Sequence, residues 1–238
     1  MKPASMKKVL ILVTILAVPG FLYYLLQEKG KNRYKPLPYF GPKVVAGTFH
    51  SVRGEKVRDT IYHEVKGLSG FNQKGDPVTL DKYQGRILVF GLFYTRANTH
   101  AVELANKAMR AFDVTYARNQ SVHFVSLSID PEEDNPGVLR KYADSLQAVA
   151  GKWDLVTGDS TSIFNFINTQ LRVDAHRMPG ADPASPGKFT YSNLFVLVDP
   201  GHHIRGYYEA TSQEALSKLD DEIKVLIAEV LRNTEDGR

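Results

Sequence analysis

An unbroken apolar stretch, Arg86-Ile-Leu-Val-Phe-Gly-Leu-Phe-Tyr94, runs straight into Thr95-Arg-Ala-Asn-Thr-His-Ala-Val-Glu-Leu104. The first segment reads as a strand buried on both faces, because it is continuously apolar and too short for an average helix. In the second, a loop turns into a helix expected over residues 98–119. There Ala101, Leu104, Ala105, Ala108, Met109 and Phe112 fall at i, i+3, i+4 spacing and mark one buried face. Asn98 is the expected N-cap, and Glu103 sits near the positive end of the helix dipole. A buried strand handing over to an amphipathic helix commits the chain to layers of helices on a sheet.

The rest of the chain repeats that alternation. Strands are expected at 122–129 and 193–198, with a weaker one at 153–156, and helices at 136–146 and 161–171. Asp199-Pro-Gly201 turns residues 194–198 back onto 204–208 as a hairpin. Thr211-Ser-Gln-Glu214 reads as a capping box opening a last helix, whose apolar stripe is Leu216, Leu219, Ile223, Leu226, Ile227 and Val230. Gly75-Asp-Pro77 suggests a small hairpin within 63–80, and residues 174–190 read as an irregular excursion. The expected fold class is α/β of thioredoxin-like type with an N-terminal transmembrane anchor.

Charge location matters more than its sum. The formal net charge of the chain is +4. Residues 1–35 hold seven basic residues against Glu28, leaving residues 36–238 with 23 basic and 25 acidic. The folded part is not basic, so nucleic-acid binding loses its main support. The basic residues flank an apolar run, Val9–Leu26, close to the minimum that crosses a bilayer. Pro19 and Gly20 interrupt it, and membrane helices tolerate both. No small-x-small cleavage site follows, which favours a retained anchor over a cleaved signal. Basic residues on both flanks leave orientation open. The expected organisation is an anchor at 1–26, a linker or arm at 27–59 and a folded domain at 60–238.

The chain contains no cysteine, which excludes dithiol chemistry and thiolate metal sites. His100 could ligate a metal or bind an anion at the helix entry, although a solvent-facing role is the simpler reading. His202-His203, His176 and His50 lack spaced partners, and His123 alternates with apolar residues as a satisfied strand histidine. Asp130, Glu132, Glu133 and Asp134 lack the glycine and distal glutamate of a calcium loop and read as a strand-ending turn. There is no nucleophile elbow, P-loop or dinucleotide fingerprint. No enzymatic activity is expected.

Five segments follow one another in a fixed order: Phe71-Asn-Gln-Lys-Gly-Asp-Pro-Val-Thr-Leu-Asp-Lys-Tyr-Gln-Gly85, the strand and loop at 86–104, Val125-Ser-Leu-Ser-Ile-Asp-Pro-Glu-Glu-Asp134, Leu197-Val-Asp-Pro200 and Ile204-Arg-Gly-Tyr-Tyr208. In order and spacing, they together resemble the SCO/SenC family of membrane-anchored, thioredoxin-like proteins of cytochrome oxidase assembly. The resemblance covers roughly residues 60–232. It implies a Thr-x-Cys-Pro-x-x-Cys-Pro motif after the first strand and a later histidine, together holding copper. Here the two cysteine positions are Ala97 and Ala101, the histidine position is Tyr191, and Asn98 and Val102 replace the prolines. The resemblance therefore implies a degenerate copper site with no metal ligand set, His100 being the one weak candidate, and no cofactor. It also implies a pseudoenzyme-like accessory in respiratory-complex assembly. Its expected place is the inner (cytoplasmic) membrane, single-pass, with the domain on the periplasmic side. The alternative is a re-purposed metal- or anion-binding protein using the loop around His100.

Overall fold

The structure, a computed structural model, describes residues 6–29, 36–52, 54–97, 99–182, 185 and 187–235. The chain divides into two compact units, Met1–Pro36 and Leu37–Arg238. Within the first, helix α1 spans Met6–Lys29, 24 residues that include Pro19. At 1.5 Å per residue it is ~36 Å long. Among the described residues no helix is long and apolar enough to cross a membrane, the side chains described in α1 being Met6, Lys8 and residues 13–24.

The second unit is built on a seven-stranded sheet in the order β11-β10-β5-β6-β7-β3-β4. At its centre β5 (Ile87–Phe93), β6 (Val122–Ser128) and β7 (Trp153–Thr157) run parallel, and every residue of the three is buried. The strand expected to be weak is thus fully interior, because Trp153, Leu155 and Val156 fill both faces. Antiparallel strands complete each side: β10 (Leu194–Val198) and β11 (Ile204–Glu209) beyond β5, then β3 (Ser69–Asn72) and β4 (Pro77–Thr79) beyond β7.

Period-2 alternation sends neighbouring side chains of β5 into two separate cores. Leu88, Phe90 and Leu92 join Ile163, Phe166 and Val196 in one; Ile87, Val89 and Phe93 join Met109, Trp153 and Leu219 in the other. Gly91 keeps the second face close-packed: a Cβ there would lie 3.0 Å from the Met109 methyl and 3.1 Å from the Phe195 ring, which would have to give by a few tenths of an ångström. The second core is covered by α2 (His100–Thr115), α3 (Pro136–Leu146) and α5 (Gln213–Glu235).

The α2 stripe is rotated from the expected one. Val102, Ala105, Met109 and Phe112 are buried, whereas Ala101 is exposed. The larger Val102 side chain takes the core position that alanine spacing had assigned to its neighbour. Asn98, the expected cap, lies outside the described residues; Thr99 precedes the helix and makes no side-chain cap bond. At α5 the cap is Ser212, whose Oγ accepts from the Ala215 amide at 3.3 Å, so the box centred on Thr211 is one residue out of phase. The expected helix at 161–171 splits into α4 (Ser160–Asn165) and a wider π turn, Phe166–Gln170, which brings Phe166, Ile167 and Leu171 into the first core. Part of the 174–190 excursion is regular: β8 (Ala175–Arg177) pairs with β9 (Phe189–Tyr191).

The arm holds more structure than its prolines and glycines suggest. Residues 30–35 lie outside the described residues, but β1 (Lys43–Val52) and β2 (Glu55–Tyr62) form an antiparallel ribbon across what was read as linker. β-branched residues and the positive φ of Gly54 at the turn favour it. Ahead of it the chain is stitched to β11: the Phe40 amide donates to the Ile204 carbonyl at 2.9 Å, and buried Arg205 donates to the Leu37 carbonyl at 2.7 Å. Arg205 also lies 4.3 Å from the Tyr39 ring and pairs with Asp199 at 2.9 Å.

A buried polar group joins β6 and β7. Asp154 accepts from Tyr83 at 2.7 Å, from Lys82 at 3.0 Å and from His123 Nε2 at 3.1 Å. Arg86 lies 3.4 Å from His123 Nδ1, which fits a neutral ring protonated on Nε2. Burial holds the His123 pKa below its ordinary value against the pull of Asp154. Burial alone would raise the Asp154 carboxyl, but hydrogen bonds from His123, Tyr83 and Lys82 outweigh it and hold the carboxyl well below the usual range. Both groups bind fewer protons folded than unfolded, so both take stability away on acidification. For His123 the loss begins as pH falls below about 6.5, its unfolded value. The melting temperature is therefore expected to fall from that pH downward, and His123→Gln should flatten this part of the curve. A Tm–pH profile of the variant parallel to the native one would contradict the assignment.

Candidate functional site

Strand β5 ends at Phe93, and the five residues 95–99 after Tyr94 carry the chain to α2. The loop is held from below. The Thr95 amide donates to Asp134 at 3.1 Å, and the Thr95 hydroxyl donates to the same carboxylate. Ser128 at the end of β6 adds a third donor at 2.5 Å. Burial still raises the Asp134 carboxyl above its ordinary pKa, against these hydrogen bonds. Next to it, Arg96 reaches Asp130 at 3.3 Å and Glu133 at 3.4 Å. The acidic run at 130–134 is thus a strand-ending turn, and two of its carboxylates face inward to grip the loop.

The same turn is gripped from the other side. Lys188 and Asp130 are each 1% exposed, with the ammonium 2.9 Å from Oδ1. Lys188 precedes β9, and its ammonium also lies 5.3 Å from the Phe189 ring. Loop 95–99, turn 128–134 and the approach to β9 therefore share one buried charge cluster. Sequence reading missed Lys188, because a lysine between Gly187 and Phe189 looks like an ordinary loop cation. Its signal was the nearby apolar alternation of β9.

The expected positions lie on the loop, on the first turn of α2 and at the end of β9. Tyr94 is buried and meets Phe189 and Tyr191 edge-on, at ring separations of 5.4 and 6.2 Å. Tyr191 and Ala97 both pack against the first core, and Asn193 donates to the Ala101 carbonyl at 3.3 Å. Burial first, then the neighbouring Tyr94 and Tyr142, pushes the Tyr191 hydroxyl well above its ordinary value, so it is a neutral phenol. Ala97 is half-buried and Ala101 is exposed. His100 points to solvent with its side chain 81% exposed, and its Nδ1 lies 3.6 Å from Glu103.

The remaining histidines are spread out. His203 faces Asp199 at 3.2 Å, His176 faces Asp174 at 3.5 Å and His50 faces Asp59 at 2.6 Å. Among the described residues no group of three or more His, Cys, Asp or Glu side chains is placed to hold a metal.

Comparison with known proteins fits this architecture. Residues 64–226 match the family described as SCO1/SenC. A SCO1 protein homolog of Bacillus subtilis (strain 168) is 25% identical over 179 residues, covering 72% of this chain and 86% of that protein. Among solved structures, a SCO1/SenC family lipoprotein from Bacillus anthracis str. Ames superposes with a TM-score of 0.59 at 21% identity, covering 69% of this chain and 95% of that one. BsSco, described as a member of the Sco family of cytochrome c oxidase assembly proteins, gives 0.59 at 23% identity over 69% of this chain and 93% of its own. The mixed sheet with its strand–loop–helix corner is the fold of these proteins, and this chain belongs to the SCO1/SenC family.

Proposed function

We propose that this chain is a membrane-anchored SCO1/SenC protein that serves as a non-catalytic accessory in cytochrome oxidase assembly, without the copper and thiol chemistry of its relatives. One observation carries the reading. At the positions that the family motif gives to two cysteines and a histidine stand Ala97, Ala101 and Tyr191, around a loop that is still pinned through Thr95 and Asp134. Alanine has no donor atom, and a buried neutral phenol is a poor ligand for copper. A disulfide switch is described in BsSco; this chain has no sulfur with which to form one. The residues present do not fit a copper site. They do fit a preserved scaffold whose outer surface is free to meet a protein partner.

The anchor is the run Val9–Leu26 within α1, and we assign the chain to the inner membrane, single-pass, with the domain on the periplasmic side. Purification of the full chain from detergent-solubilised membranes is expected to bring down an oxidase subunit or another oxidase assembly protein. Repeated recovery of the chain with no such component would count against the assembly role.

A further inference from the structure

The ribbon formed by β1 and β2 lies outside the family match, which begins at residue 64. Among the described residues it is a two-stranded sheet with no third strand, and a lone hairpin is marginal in water. Its large apolar side chains are exposed on both faces: Val45 at 61% and Phe49 at 55% on one, Val44 at 61% and Ile61 at 59% on the other. Cross-strand pairing sorts its charges. Lys43 stands opposite Tyr62, Val45 opposite Thr60, Phe49 opposite Arg58 and Ser51 opposite Lys56, so these share one face. Contacts of 5.6 Å from Lys43 to the Tyr62 ring and from Arg58 to the Phe49 ring agree with that. Both carboxylates, Glu55 and Asp59, belong to the opposite face, where Asp59 pairs with His50.

One face thus presents cations, aromatic rings and valine with no acid. The rest of the domain has the opposite sign: residues 63–238 hold 19 basic and 23 acidic residues, whereas residues 36–62 hold four basic and two acidic. The ribbon is also fixed at its base, where Tyr62 stacks on Tyr39 at 4.1 Å. Apolar and aromatic side chains ringed by Lys and Arg match the chemistry of an anionic lipid surface. Two copies of the same basic face would instead repel each other.

We propose that the Lys43–Val45–Phe49–Arg58 face of the ribbon lies on an anionic lipid headgroup layer. The inference rests on reading α1 as a membrane anchor, and the test keeps the two apart. Because the chain has no cysteine, Val45→Cys, Val57→Cys (opposite face) and Val114→Cys (on α2) each take a bimane label at one place. The full-length proteins are reconstituted with vesicles of phosphatidylcholine, alone or with phosphatidylglycerol, carrying brominated acyl chains as quencher. With phosphatidylglycerol the label at 45 is expected to be quenched severalfold more than the labels at 57 and 114. The excess should vanish in Lys56→Glu/Arg58→Glu and shrink with added salt. Quenching at 45 no greater than at 114 would overturn the proposal, as would label-to-label contact between copies, which would make a second chain the occupant. Extraction with alkaline carbonate reports separately on α1. A chain released by carbonate but quenched at 45 keeps the ribbon and loses the anchor. A chain retained but unquenched does the reverse.

Discussion

A variant carrying Ala97→Cys, Ala101→Cys and Tyr191→His should bind copper, and the native domain should not. Two cysteines four residues apart at a helix entry can place both sulfurs on one ion, and the positive end of α2 favours their thiolates. Tyr191 packs beside Tyr94, and Asn193, two residues on, is bonded to the Ala101 carbonyl, so the variant tests whether the third position reaches the ion. The expected gain is at least about 4 kcal/mol, roughly three orders of magnitude in Kd. Titration with Cu(I) and Cu(II) separately, on the native chain, the triple variant and His100→Ala, reads it directly. If the native chain bound copper with comparable affinity and lost it in His100→Ala, the re-purposed metal site would be correct. If the triple variant kept its fold and stayed silent, the three positions would no longer close around an ion, and the mapped site would be wrong in geometry.

The second large effect is on stability. Lys188→Ala removes one partner of a pair that is 1% exposed on each side and leaves Arg96 as the basic partner of Asp130 among the described residues. Breaking a buried pair in this way costs about 3–5 kcal/mol. For a domain of this size that is a fall in Tm of roughly 10 °C. Asp130→Asn/Lys188→Met should recover much of the loss, because it withdraws both charges together. Thermal melts of the single and double variants decide it. A single variant as stable as the native chain would mean that Lys188 is not held by Asp130 in solution.

Much of the fold was legible because its elements announce themselves locally. The continuous apolar run at 86–94 became β5, the run around His123 became β6, and Asn135 and Pro136 opened α3 as cap and first residue. Gly75 and Asp76 turned β3 into β4. What sequence reading missed either carried no burial pattern or depended on partners far along the chain. The β1–β2 ribbon exposes its apolar residues, so burial gives it no periodic signature. Ala101 and Val102 both suit a helix face, and only the packing of the second core chose Val102. The resemblance maps the site to Ala97, Ala101 and Tyr191, but it does not give the charges around them. The charges that shape it come from Arg96, Asp130 and Lys188, and no local spacing connects residues so far apart.

That cluster has a consequence for signalling. A corner closed by the protein's own ammonium, guanidinium and carboxylate groups is complete when the chain folds. If the proposed function holds, it does not wait for a loading event, and a chelator would have nothing there to remove. Its shape would then carry no message about metal supply or oxidant level. A partner docking on this corner would meet one constant surface, and the timing of that encounter would have to be set by the partner.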